Sequence, residues 1–227
     1  MRPVAGDMEL GERFQNFAAA LTDFRPENVA ADFSLRPGES QKSKGKRKLK
    51  LAATSRRGLA AYAPDWKQQI HQMRLRIEKE RMPTGKDDLA IKTGKGGLMD
   101  AEFIAQALCL EHGWQEAHTL RALERARDAV GCPPFRVSAP GGTLKRGQQA
   151  PTRADLDKLL ENYRQLRRVE GILRRWSYEG ETVLPDDPAP YYRVSVRCGF
   201  SSPEAFRVAL AKWRQAIREV YEKVFPY

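Results

Sequence analysis

The chain has 227 residues, 41% of them hydrophobic, and a formal net charge of +11; this length and apolar content suffice for one sizeable core or two small ones. No run of about eighteen apolar residues occurs and no basic region precedes an apolar N-terminal stretch, so neither a membrane span nor a secretory signal is indicated and a cytoplasmic protein is expected. Cys109, Cys132 and Cys198 are odd in number and widely spaced, and His71, His112 and His118 do not cluster with them, so disulfides and a zinc site lack support.

Eight basic side chains and no acid fall within residues 41–57, so most of the excess charge lies in one stretch. With Pro37, Gly38, Ser40, Ser43 and Gly45 close by, residues 24–64 read as a solvated, mobile basic insert. Lys44, Lys46, Arg47, Lys48 and Lys50 are its candidate nucleic-acid contacts, and such binding would weaken steeply with salt. A solvated insert without a dedicated partner is the more economical reading.

Helical spacing dominates the rest of the chain. Trp66, Ile70, Met73 and Ile77 place an apolar stripe on a helix over 65–82. Phe103, Ile104, Ala107 and Leu108 give a second buried face between Leu98 and His112, and His112-Gly113 reads as a helix C-terminus with a left-handed cap. A third helix is expected over 115–130 from Leu120, Leu123 and Val130, ending near Gly131 with Pro133-Pro134 beyond. The fourth, over 153–177, carries Leu156, Leu159, Leu160, Tyr163, Leu166, Val169 and Leu173. The last takes Ser202 as N-cap and Pro203 in its first turn, with Phe206, Leu210, Trp213, Ile217, Val220 and Val224 inward. Residues 181–183 and 135–137 are the two strand candidates, both better left as loop, and 131–151 is a flexible surface loop. Every stripe needs another helix to cover it, so the fold class is all-α: a helical bundle over 65–227 with the basic insert before it.

Catalytic and metal chemistry finds little footing in these patterns. Asp155-Leu-Asp157 follows Gly141-Gly142 at a spacing that suits a metal-binding strand, but Thr152 and Asp155 fit a helix capping box, and residues two apart on a helix diverge by about 200°. No catalytic residue and no metal ligand is assigned. The segment Lys92-Thr-Gly-Lys-Gly-Gly97 enters a helix whose first turns carry Asp100 and Glu102. It is not a Walker A loop. The two acids serve the helix dipole without any ligand; alternatively Lys92, Lys95, the backbone N–H groups of Gly94 to Gly97 and the helix start form a polar rim toward a nucleotide. Arg167 and Glu170 are either a surface ion pair or an interdomain contact. Trp66, Trp114, Trp176 and Trp213 are expected as core or helix-end anchors.

Lys92, Gly94, Gly96, Gly97, Leu98, Asp100, Glu102, Phe103, Gln106, His112 and Gly113 together fit a signature that resembles the helical domain following the nucleotidyltransferase domain in glutamine synthetase adenylyltransferases and PII-uridylyltransferases. Tyr163-Arg-Gln-Leu-Arg-Arg-Val-Glu170, Leu184-Pro185 and Gly199-Phe200 are similar to later parts of that pattern, and Arg2-Pro-Val-Ala-Gly-Asp7 with Leu10 to its opening. Residues 1–23 are therefore expected to start the helical domain where a catalytic domain stops. The resemblance implies Lys92, Gly94, Lys95, Gly96, Gly97, Asp100, Glu102 and Gln106 as nucleotide-facing or interdomain residues, with Arg167 and Glu170 interdomain. It also implies AMP transfer from ATP, with magnesium, to glutamine synthetase under control of a PII-type regulator, once a nucleotidyltransferase domain is supplied, possible as a separately encoded partner. The chain alone is expected to bind no cofactor and to be inactive. A basic nucleic-acid-binding protein, a protein-interaction module and an inactive remnant are the alternatives.

Overall fold

A computed structural model describes residues 8–22, 65–81, 85–130, 150–177 and 183–225. Within them are seven helices: α1 Met8–Leu21, α2 Trp66–Arg81, α3 Leu98–His112, α4 Thr119–Ala129, α5 Arg153–Ser177, α6 Pro188–Arg197 and α7 Pro203–Val224. Helix α3 is the axis of the bundle. Its sequence is apolar almost all the way round, as a helix enclosed by others must be, and Gln106 is its one exposed residue. Helices α4, α5 and α7 pack around it, α5 and α7 pack against each other, and α6 bridges these two. The stripe of α5 is buried at all seven positions expected, as is that of α7 except for half-buried Trp213.

Local signals set the helix ends. Ser202 Oγ accepts from Ala205 N at 3.1 Å, with Pro203 in the first turn where its missing N–H costs nothing. Asp155 N donates to Thr152 Oγ1 while Asp155 Oδ2 accepts from Thr152 N, a reciprocal box in which the acid replaces the usual Glu or Gln. Asp155 also meets Lys223 at 2.8 Å, and Asp157 lies 3.8 Å from Arg127. At the end of α3, Gly113 has φ 63°, and Trp114 N donates to Cys109 O at 2.8 Å. Its missing Cβ makes that left-handed turn inexpensive.

Four differences from expectation stand out. The third helix starts at Thr119, so residues 115–118 are a connection rather than its first turn. Helix α6 was not anticipated. Pro188 and Pro190 both occupy its first turn, where backbone N–H groups lack partners in any helix. In α2 the inward face is turned from the expected stripe: His71, Arg74 and Glu78 are buried with Trp66, Ile70 and Ile77 are partly covered, and Met73 is 47% exposed. Helix α1 was not anticipated as a helix either. Among the described residues, Val183 forms an isolated antiparallel bridge with Ala90 rather than a strand. The basic run with Lys44, Lys46, Arg47, Lys48 and Lys50, the rest of 24–64, residues 135–137, Cys132, Glu181 and the Trp176 side chain lie outside the described residues. No helix among the described residues is long and apolar enough to cross a membrane.

Helix α2 joins α3 through Lys67 Nζ and Glu111 Oε2 at 2.9 Å. Burial pushes the Glu111 carboxyl up to about 6 against the pull of Lys67. A carboxyl raised on folding favours the protonated state, so its contribution to stability is full below pH 4.5 and is lost as pH rises through 6. Comparing urea unfolding of the native chain and Glu111→Gln at pH 4.5 and 7 should show the native chain losing on the order of 2 kcal/mol relative to the variant across that window. Parallel stability curves would contradict this.

Candidate functional site

The glycine segment is shaped from within by a buried ionic cluster. Arg74, wholly enclosed, sends Nε to Asp100 Oδ1 at 2.6 Å and Nη2 to the carbonyls of Thr93 and Gly94 at 3.0 and 3.1 Å. The other oxygen of Asp100 accepts from Gly96 N at 2.8 Å and from Arg218 Nη1 at 3.3 Å. Glu78 lies 3.5 Å from Arg74 and 3.8 Å from Arg218. Two guanidinium groups and two carboxylates thus neutralise one another inside the protein, the condition under which buried charge is tolerable. From α7, Arg214 donates to the carbonyls of Lys95 and Asp88 at 2.9 and 3.0 Å. Desolvation lowers the pKa of Arg214, against the opposing pull of Asp88, Asp100, Asp87 and Glu78. His71 shares a 3.1 Å hydrogen bond with Tyr221 beside the cluster. Burial first, and then the charges of Arg218 and Arg74, push its imidazole down, with Asp100 opposing.

Packing then dictates the glycines. Gly96 has φ 68°, and a Cβ there would fall 1.9 Å from the carbonyl oxygen of Arg214. At Gly94 a Cβ would sit 2.5 Å from Ala90 O, and at Gly97 2.7 Å from Lys92 O. The backbone donors of Gly94, Gly96, Gly97, Leu98 and Met99 are spoken for as well. Gly94 N donates to Ala90 O, Gly97 N to Gly94 O, Leu98 N to Ile91 O and Met99 N to Lys92 O, each at 3.0–3.2 Å. A helix N-terminus attracts anions because its N–H groups lack partners; here the loop supplies them.

The candidate residues therefore separate. Gly94, Gly96, Gly97 and Asp100 are buried and face inward. Asp100 acts in the first turn of α3, but through Arg74, Arg218 and Gly96 N as well as the dipole. Lys95 projects from the clamped loop with its side chain 69% exposed, 3.9 Å from Glu78. Lys92 and Glu102 are half-buried and Gln106 is exposed. Glu102 is raised by burial, against the pull of Lys92 and Arg167, with Glu170 adding to the rise. On α5, buried Glu170 accepts from Arg167 at 2.5 Å and from Arg174 at 2.9 Å. Lys92, Glu102, Arg167 and Glu170 thus share one charged neighbourhood, while Asp100 belongs to another. Sequence reasoning missed Arg74, Glu78, His71, Arg214 and Arg218, which read as exposed helix polar residues. The available signal was the spacing of His71, Arg74 and Glu78, which shares a face with Trp66 and Ile70.

A family model described as GlnD PII-uridylyltransferase matches residues 65–225, a span that takes in the loop, the ionic cluster and helices α2 to α7. The chain belongs to the GlnD PII-uridylyltransferase family. Among curated relatives, the bifunctional glutamine synthetase adenylyltransferase/adenylyl-removing enzyme of Cutibacterium acnes is 25% identical over 224 residues, covering 99% of this chain and 18% of that protein. Proteins of the same description from Stenotrophomonas maltophilia and Pseudomonas aeruginosa are each 34% identical over 56% of this chain and 12% of their own length. The chain thus spans less than a fifth of each of these family relatives.

Removing one partner of the buried cluster strands the others. Arg74→Met and Asp100→Asn should each lower stability by about 3–5 kcal/mol in urea unfolding, whereas Lys95→Ala should change it by less than about 0.5 kcal/mol. Gly96→Ala should be as damaging as the first pair, because its Cβ meets backbone rather than a flexible side chain. A small effect of Arg74→Met would refute the clamp.

Proposed function

We propose that this chain is the helical domain of a glutamine synthetase adenylyltransferase-like protein and acts in AMP transfer to glutamine synthetase beside a nucleotidyltransferase domain, which holds ATP and magnesium. The observation that carries the reading is the family match across the glycine loop, joined to the geometry of that loop. Four consecutive residues are fixed by charged groups from three helices, yet the Lys95 ammonium is left at the surface, 3.9 Å from Glu78. A cation on a stiff frame loses little entropy on meeting an anion, which suits contact with the phosphates of a nucleotide held by a neighbouring domain. The contribution proposed is positional: side chains, rather than loop N–H groups, face the nucleotide. Arg167 and Glu170, with Lys92 and Glu102, form a second charged neighbourhood, proposed to face the adjoining domain. A PII-type regulator is a further proposed partner.

The test replaces the matched stretch of the Cutibacterium acnes enzyme with this chain and follows label from ATP onto glutamine synthetase. The chimera should transfer AMP, the isolated chain should not, and Lys95→Ala should reduce transfer roughly tenfold or more with unchanged melting. A folded chimera without transfer activity, or an isolated chain that consumes ATP, would overturn the proposal. Label from UTP appearing on a PII protein instead would favour uridylyl transfer, the activity in the family's description.

A further inference from the structure

Beside the clamped loop lies a cavity of about 230 Å3 lined by Leu75, Glu78, Lys79, Asp87, Lys95 and Arg214. Glu78 is buried, whereas Lys79, Asp87 and Lys95 are exposed, so the carboxylate lies at the base and the three others at the mouth. The charges of the lining do not balance. Glu78 already answers Arg74 at 3.5 Å and Arg218 at 3.8 Å, and Lys95 reaches it only at 3.9 Å. Asp87 is then the one lining carboxylate left to oppose Lys79, Lys95 and Arg214, and among the described residues neither Lys79 nor Arg214 makes a direct ion pair. Arg214 is held without being neutralised. Its Nε and Nη1 donate to the carbonyls of Lys95 and Asp88, while Nη2, without a hydrogen bond among the described residues, lies over Gly94, where a Cβ would come within 2.6 Å of it. Lost hydration makes that charge costly, and the pKa of Arg214 falls accordingly. An anion in the cavity would supply the missing charge at a small entropic cost, because the guanidinium and the backbone of Lys95 are fixed beforehand.

We infer that this cavity binds a multiply charged phosphate anion, with Lys79, Lys95 and Arg214 as its cationic ligands. Three cations converging on one cavity exceed what a single carboxylate can neutralise, whereas a pyrophosphate group matches them. Asp87 opposes the anion and so limits its affinity. The inference rests on the functional reading above only for the source of the phosphate, which is either the polyphosphate of a nucleotide held by a neighbouring domain or a free phosphate anion.

The experiment titrates the full chain with inorganic pyrophosphate at low salt, without metal, and follows by NMR the backbone amides of Lys79, Asp87 and Lys95 and the Arg214 Nε–H, so that binding at other basic residues is read separately. These signals should shift together and saturate. Lys79→Ala should weaken binding, and Asp87→Asn tighten it, by about two- to fivefold each, with unchanged melting because both side chains are exposed; Lys158→Ala, outside the cavity, should do neither. Shifts confined to other residues, or an affinity indifferent to Lys79 and Asp87, would overturn the site. Saturation of the same signals by magnesium alone, lost in Asp87→Asn, would assign the cavity to a cation and overturn it too. In the chimera, a raised KM for ATP in Lys79→Ala with kcat retained would identify the nucleotide as the source, and an unchanged KM would identify a free anion; the site stands in both. An inactive chimera beside an isolated chain that binds pyrophosphate would sink the functional reading alone, and an active chimera beside an isolated chain without these shifts would sink the site alone.

Discussion

A guanidinium with no access to water has to find all its electrostatic compensation in protein, and Arg74 finds it in three places at once. Asp100 accepts from Nε, the carbonyls of Thr93 and Gly94 accept from Nη2, and Nη1 lies 3.5 Å from the charge of Glu78. Because Asp100 also holds Gly96 N and meets Arg218, the same side chain ties α2, the glycine segment, α3 and α7 into one unit. Such a network adds little net stability compared with an apolar core of equal volume. Its value is geometric, since few other arrangements of the chain leave these charges paired.

That constraint gives the glycines and acids of the segment their chemistry. Gly94, Gly96 and Gly97 allow backbone to lie directly on backbone and on Arg214, and the helix N-terminus is satisfied by its own loop. The segment is therefore stiff, and its exposed charge is that of Lys95, beside Glu78. A rigid display of this kind suits the proposed supporting role, in which a domain positions groups and leaves bond-making elsewhere.

Much of the bundle was legible because its signals were local and redundant. Helix α5 shows seven apolar positions at helical spacing and a Thr152–Asp155 box at its start, which together outweigh the Asp155-Leu-Asp157 spacing; α7 shows Ser202, Pro203 and a similar stripe. Helix α6 was hidden because Pro188 and Pro190 suggest a loop and its buried face includes Ser195 and Tyr191. The inward face of α2 was misread for a deeper reason. Hydrophobic periodicity assumes that apolar residues turn inward, and here Arg74 and Glu78 do so because carboxylates and carbonyls wait for them on segments remote in sequence. The motif located the segment; only tertiary geometry shows that Asp100 points to Arg74 while Glu102 points toward Lys92 and Arg167. In the same way, the exposure of Phe14 and Phe17 depends on how α1 is rotated, which composition does not encode.

The most direct test of the clamp is native-state hydrogen exchange at the amides of Gly94, Gly96 and Gly97, read residue by residue in the full chain. If the buried network fixes the segment, these amides exchange only with the global opening that also exposes α3 and α7, and in Arg74→Met they exchange faster than the rest of α3. Fast exchange of Gly96 in the native chain, at the rate of an unprotected loop, would contradict the account.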